Sequence, residues 1–393
     1  MSYVNYLEAH AGGTELPSPL VLPDGKRLSS AAMWESRRRE LRQTFADFMF
    51  GEIPPPPQKI TLELRRERTD ALDGTAIRRE IRIHLENDGK RFFFDMLWYI
   101  PKNLSAPCPA IVGLNFPGNP ATTDDPDVFE NDPAKLKEHA LERGVQRERW
   151  CFKEMIARGF SMATAARDDL FFDGRDGRRE SVYSLFHSPE ELTEENRSLT
   201  AISAWAWGCI RLREILAADP LIDEKRIWVH GHSRLGKTAL WASANDEKFA
   251  GCVSNDSGCC GAAPSRRNFG ETLHVITHAF PWWFQKKLDL YAEKPAELPF
   301  DQNALLALTA PRPLLVASAT EDLWADPYGE FLSTAAADDV WKLYGLGFNG
   351  TPEFPLPETP AFGNALGYYL RTGKHAVTAT DWEMVTEFIK ANS

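Results

Sequence analysis

The apolar positions change period several times along this chain, and each change marks an element. Residues 34–50, WESRRRELRQTFADFMF, carry apolar side chains at helical spacing on a charged background. Gly51 and the prolines at 54–57 end that helix. Between 60 and 85 the period falls to two (ITLELRRE, then AIRREIRIHL), which predicts antiparallel strands with one wet face. Residues 92–100 predict another strand. Residues 110–114 are short and wholly apolar, as a central parallel strand requires, and they run into the turn-rich loop Asn115-Phe116-Pro117-Gly118-Asn119. The stretch 120–148 is polar and poorly periodic. A helix over 151–158 and a buried strand over 160–166 follow. Residues 168–199 are charged and rich in turn signals, so they read as a surface excursion. A long helix with an apolar face covers 199–216. Strands are expected at 249–254, at 313–319 and, as the last one, at 340–344, with a large excursion over 258–310. A closing helix spans 380–391, with Thr380 or Asp381 as its N-cap.

This alternation predicts an α/β fold, a mainly parallel, doubly wound sheet in a three-layer sandwich. Residues 1–59 are expected to pack on it as a helical extension. Residues 60–393 are expected to form the main α/β domain of what is a single domain overall. No internal repeat is present.

The run 227–241, IWVHGHSRLGKTALW, sharpens this picture. Three bulky apolar residues make a buried strand. The chain then turns at Gly231-His232-Ser233 and continues as a helix of small and apolar residues. Strand, sharp turn with serine, helix: this is the nucleophile elbow of an α/β-hydrolase. The turn lifts the Ser233 hydroxyl above the carboxyl end of the sheet, and the helix N-terminus aims its amides at the same place. The usual G-x-S-x-G spacing is broken, because Leu235 stands where the second glycine belongs and Gly236 follows one position later.

A serine nucleophile needs a base, and in this fold the order is nucleophile, acid, base. His375, in the loop Thr372-Gly373-Lys374-His375-Ala376 before the closing helix, is the only histidine after the acid-bearing region. Two carboxylates compete to orient it. Asp322 follows the strand at 313–319, the usual acid position, and is taken as the triad acid. Asp256 follows the strand beside the elbow and is kept as a supporting or substitute acid. The H-x-H pair His230 and His232 and the i, i+4 pair His274 and His278 lack an evident third ligand, so no metal is expected, and no cofactor either.

Composition narrows the partners. A net charge of −11 argues against a general nucleic-acid or anionic-membrane surface. No stretch has the length of an apolar membrane span. The start, MSYVNYLEAHAGG, lacks the basic-then-apolar layout of a signal peptide, so the protein is expected to be cytoplasmic as written, or secreted or periplasmic with a leader removed. The six scattered cysteines read as buried thiols. A monomer is expected.

One family accounts for the irregular elbow. GHSRLGK resembles the corresponding block of carbohydrate esterase family 15, the glucuronoyl esterases. The resemblance continues through GLNFPGN, SNDSGCCGAAPSRRNFGET, FPWWF, LPFDQNALLALTAPRPLLVASA and EDLWADPYGEF, in order over most of residues 110–380. It implies a serine esterase acting on 4-O-methyl-glucuronoyl esters, such as those linking lignin alcohols to glucuronoxylan. It further implies that Arg234 holds the oxyanion, that Lys237 contacts sugar hydroxyls, and that Glu271 and Trp324 line the glucuronate pocket. His232 stands where fungal members have a half-cystine, as in the bacterial-type branch. Fungal members carry Glu where this chain has Asp256, and bacterial members often carry an acid matching Asp322. The stretch Ala165-Ala166-Arg167-Asp168-Asp169 departs from the family pattern, so the pocket rim is expected to differ. The competing readings are an acetylxylan or other carbohydrate acyl esterase, and a catalytically weak carbohydrate-binding relative. A prolyl-oligopeptidase-like peptidase would need a propeller domain that is missing.

Overall fold

Residues 4–116, 118–129 and 142–392 are described by a computed structural model. Pro117 of the turn-rich loop and residues 130–141 of the polar stretch lie outside the described residues.

The long alternating and apolar runs assemble into one ten-stranded sheet. Its strands are β1 (Lys59–Asp70), β2 (Ala76–Asn87), β3 (Lys90–Pro101), β4 (Cys108–Asn115), β5 (Ser161–Ala166), β6 (Ile222–His232), β7 (Gly251–Asn255), β8 (Leu314–Ala319), β9 (Ala361–Phe362) and β10 (Leu366–Arg371). Across the sheet the order is β1-β2-β3-β5-β4-β6-β7-β8-β10-β9. From β5 to β10 every pairing is parallel, while β1, β2, β3 and the short β9 attach antiparallel at the edges.

Five long helices cover the two faces: α1 (Ala31–Phe45), α2 (Ala201–Ala217), α3 (Arg234–Asn245), α4 (Pro327–Lys342) and α5 (Ala379–Ala391). Strand period decides which face each residue joins. Ala110, Val112, Ile227, Val229, Leu314 and Val316 join the core under α1, α2, α3 and α4. Their neighbours Ile111, Trp228 and Leu315 point the other way, toward Phe152, Met155 and the Trp382, Val385 and Phe388 stripe of α5. Such two-sided burial explains why these strands read as continuous apolar runs. The fold is a doubly wound α/β-hydrolase sandwich.

Two expectations are corrected. The segment 340–344 is no strand: Val340 and Trp341 are the buried last turn of α4. A short apolar run does not by itself distinguish strand from helix, and the Asp326 side chain caps this helix from Gly329 N at 3.0 Å. The strand that closes the parallel sheet is β10, whose GYYL core was hidden among turn residues. The N-cap of α5 is Thr378, with Asp381 at the third helical position completing a reciprocal capping box. All six cysteines are buried and unpaired, as expected.

The chain's first segment reaches a distant loop. Gly270 N donates to Asn5 O at 2.9 Å and Asn268 N to Ala11 O at 2.8 Å. Arg267 spans Glu8 (2.9 Å) and the α4 cap Asp326 (2.7 Å).

Candidate active site

Strand β6 delivers the nucleophile candidate. Ser233 sits between β6 and α3 with φ 59° and ψ −130°, a backbone state that non-glycine residues rarely adopt. The turn is tight enough that a Cβ on Gly231 would meet Leu235 O at 1.8 Å. A Cβ on Gly236 would meet the Ser257 side chain at 2.8 Å, while Leu235 is buried in the core. This explains the shifted spacing: the close approach to the neighbouring strand end falls at 236, and 235 is free to pack. Because α3 begins at Arg234, the amides of its first turn lie beside the hydroxyl.

His375 is carried by the loop between β10 and α5. Its Nδ1 donates to Asp322 Oδ2 at 2.5 Å. A carboxylate only accepts, so Nδ1 holds the hydrogen and Nε2 the lone pair. The imidazole is 38% exposed, whereas Asp322 is buried. Among the described residues no hydrogen bond joins the Ser233 hydroxyl to this ring, a gap that catalytic hydrogen bonds commonly close when substrate binds. The loop itself is braced by Arg371, whose guanidinium donates to Thr372 O, Lys374 O and Ala376 O at 2.8, 2.8 and 3.0 Å and pairs with Asp381 at 2.9 Å.

Asp256 does not touch His375. It is 1% exposed, its carboxylate oxygens have no hydrogen-bond partner among the described residues, and His232 Nδ1 lies 3.8 Å from it. Burial, with Asp322 and Glu330 nearby, pushes this carboxyl well above its usual range. His232 donates from Nδ1 to Asn255 Oδ1 at 2.5 Å and lies against His375 with ring centroids 4.3 Å apart and planes 42° apart. Burial and the adjacent His375 hold its pKa well below the ordinary histidine value. The fold thus supplies neighbours for the H-x-H pair that the sequence did not show, since His232, Asp256 and His375 offer ligand atoms within 4.8 Å of one another. Two of the ring nitrogens there are already engaged, with Asn255 and Asp322. His230, two positions back on the same strand face, lies against Trp382 with ring centroids 4.5 Å apart, and burial takes its pKa down to about 3. His274 and His278 lie together on a surface helix beside Glu293.

Ser233, His375 and Asp322 line a cavity of about 340 Å³ whose other walls include Arg234, Lys237, Glu271, Trp324, Phe280 and Trp283. All four residues implied by the resemblance are therefore in one place. Lys237 donates to Ser257 O at 2.5 Å and lies 4.0 Å from Glu271. Burial lifts the Glu271 carboxyl, against the pull of Lys237 and Arg234. Glu271 N donates to Trp324 O at 2.9 Å, which fixes the two segments side by side. The Trp324 side chain is 41% exposed, unlike the fully buried tryptophans of the core.

Sequence reasoning missed what holds Arg234. Its guanidinium lies 4.5 Å from the Trp283 ring and 5.2 Å from Phe280, and its Nη1 pairs with Asp173 Oδ2 at 2.5 Å. Asp173 comes from the excursion at 168–199, where no period singled it out. FPWWF had been noted only as a matching block.

This architecture and site match known proteins. A carbohydrate esterase designated MZ0003, from an unknown prokaryotic organism, is 39% identical over 98% of this chain and 91% of its own length. The chain belongs to carbohydrate esterase family 15. The family profile described as glucuronyl esterase, fungi, matches residues 158–345. A glucuronoyl esterase of Solibacter usitatus superposes with a TM-score of 0.90 at 36% identity, covering 98% of this chain and 99% of that one. A family 15 esterase from a marine bacterial metagenome, described as promiscuous, gives 0.87 at 36% identity over 99% of this chain and 100% of its own. Family 15 enzymes are carboxylic ester hydrolases, and this chain is one.

Proposed function

We propose that this esterase hydrolyses 4-O-methyl-glucuronoyl esters, the links between lignin alcohols and glucuronoxylan, through an acyl-enzyme. The observation that carries the reading is the placement of the Asp322–His375 pair and the Ser233 elbow in one cavity with Lys237, Glu271 and Trp324. A cavity of about 340 Å³ is of the size that encloses a small ligand such as one sugar ring.

Each step follows from an atom already placed. His375 Nε2 takes the Ser233 proton as Oγ attacks the ester carbonyl, and Asp322 stabilises the imidazolium. Charge then develops on the carbonyl oxygen. Arg234 supplies a permanent positive charge there, together with the amides at the start of α3. The imidazolium protonates the leaving alcohol. Water, activated by the same ring, releases the uronic acid. Lys237 and Glu271 form a buried donor–acceptor pair suited to vicinal hydroxyls, and the exposed Trp324 indole offers a stacking face to the sugar. Asp256 serves as a supporting group behind the imidazole pair. The chain acts as a monomer on an uronate ester in this reading, with no cofactor or metal. Residues 1–59 act as an extension of a single catalytic domain.

Ser233→Ala should lower kcat on benzyl glucuronate by about 10⁴-fold or more, with an unchanged circular dichroism spectrum. The same wild-type assay run on methyl galacturonate, p-nitrophenyl acetate and acetylated xylan separates the readings. Preference for acetate would replace glucuronate with an acyl esterase function. Calorimetric sugar binding without any turnover would leave a carbohydrate-binding protein.

A further inference from the structure

Asp173 is a buried carboxylate that gathers three hydrogen-bond donors and a second guanidinium from three separate segments. Its Oδ2 pairs with Arg234 Nη1 at 2.5 Å and with Arg167 Nη1 at 2.6 Å. Its Oδ1 accepts the indole N–H of Trp282 at 2.8 Å and of Trp283 at 2.6 Å. Its side chain is 4% exposed. Burial alone would raise this carboxyl, yet Arg167, Arg234 and the two indoles overcome that and hold it below the usual range.

These partners are not equivalent. Arg234 and Trp283 line the catalytic cavity, while Arg167 is buried behind it beside Trp205 and Phe116. The Arg234 guanidinium is therefore fixed on two sides, by the carboxylate at its end and by the Trp283 ring at its face. The same carboxylate fixes that ring. Among the described residues Arg234 Nε has no hydrogen-bond partner. Arg167 has a second carboxylate partner in Asp168, 3.2 Å from its Nε, so Asp173 is not its sole counter-charge. A free arginine chain would have to be ordered at the moment of reaction, whereas a bracketed one is already in place.

We propose that Asp173 is a positioning residue for ester hydrolysis, holding Arg234 and Trp283 in the arrangement that meets charge on the carbonyl oxygen. It touches neither substrate nor nucleophile and acts through Arg234. This rests on the oxyanion role assigned to Arg234 above.

The test is a double-mutant cycle between Asp173→Asn and Arg234→Ala, assayed on benzyl glucuronate. Asparagine keeps the shape and an acceptor for the indoles but gives up the charge. Asp173→Asn should lower kcat about 30- to 100-fold while KM moves less than about threefold, because the lost interaction belongs to the transition state. In the Arg234→Ala background the same change should cost less than about threefold, since the residue it acts through is gone. Asp173→Glu, which restores charge in a displaced position, should recover part of kcat. If Asp173 only damped a positive charge, Asp173→Asn would raise kcat, and that result would overturn the proposal. So would equal losses in both backgrounds, which mark a general packing role. An Arg234→Ala enzyme with full kcat would instead remove the oxyanion role itself. Should Asp173→Asn fail to fold, Trp283→Phe removes one donor from the bracket. It should lower kcat about fivefold or more in the wild-type background and negligibly beside Arg234→Ala, with equal losses again counting against the proposal.

Discussion

Asp322 and Asp256 are both buried aspartates near the same imidazole, and their hydrogen bonding differs. Asp322 spends its carboxylate on His375 Nδ1 at 2.5 Å. Asp256 accepts nothing among the described residues, and burial beside Asp322 and Glu330 favours its protonated form. Asp322 is therefore the carboxyl placed to meet an imidazolium. Asp322→Asn should cost about 10³- to 10⁴-fold in kcat by presenting the ring with the wrong partner. Asp256→Asn should cost less than about tenfold. Steady-state kinetics on a glucuronate ester decides it, and a crippled Asp256→Asn enzyme would move the acid to the fungal position. The choice between the two was left open in the sequence, because both lie at strand ends and reach cannot be read from spacing. Ser233 and His375 were legible, the first from the break in period at the elbow, the second because the fold allows the base one place. Asp173 was not: it lies in a segment without period, and its partners are 6 to 110 positions away.

At the level of elements, loops hold the chemistry and strand ends hold the loops. The parallel strands from β4 to β8 were readable because burial on both faces leaves continuous apolar runs. β10 was not, since Gly367 and two tyrosines dilute its pattern, and the run at 340–344 drew the assignment instead. That strand nonetheless matters, for it ends in Arg371, whose guanidinium ties three carbonyls of the His375 loop to the capping aspartate of α5. Lysine has no planar fork to reach all of them. Arg371→Lys should lower kcat about tenfold and reduce stability by about 2 kcal/mol, with little change in KM. Urea unfolding and kinetics on one preparation check both halves.

The whole molecule joins its two strand-end carboxylate loops through one interior group. Glu330 on α4 accepts from Ser257 Oγ at 3.1 Å, from Gly258 N at 2.9 Å and from the Ser318 hydroxyl. Burial lifts its pKa from 4.5 to about 7. Between those values the unfolded chain has released a proton that the native state keeps, so stability falls as pH rises through the window. Glu330→Gln should remove that part of the slope: relative to wild type, its stability should climb from pH 4.5 to 7 in urea melts. A difference that stays flat would show that Glu330 is ionised in the native protein. The contacts of residues 5–11 with 267–270 have a consequence for handling the enzyme. That loop leads into Glu271, so residues 5–11 splint one wall of the cavity from outside it. Deleting residues 1–12 should raise KM for glucuronate esters about three- to tenfold and leave turnover of p-nitrophenyl acetate nearly unchanged. A purification tag placed at this end would press on the cavity wall that carries Glu271.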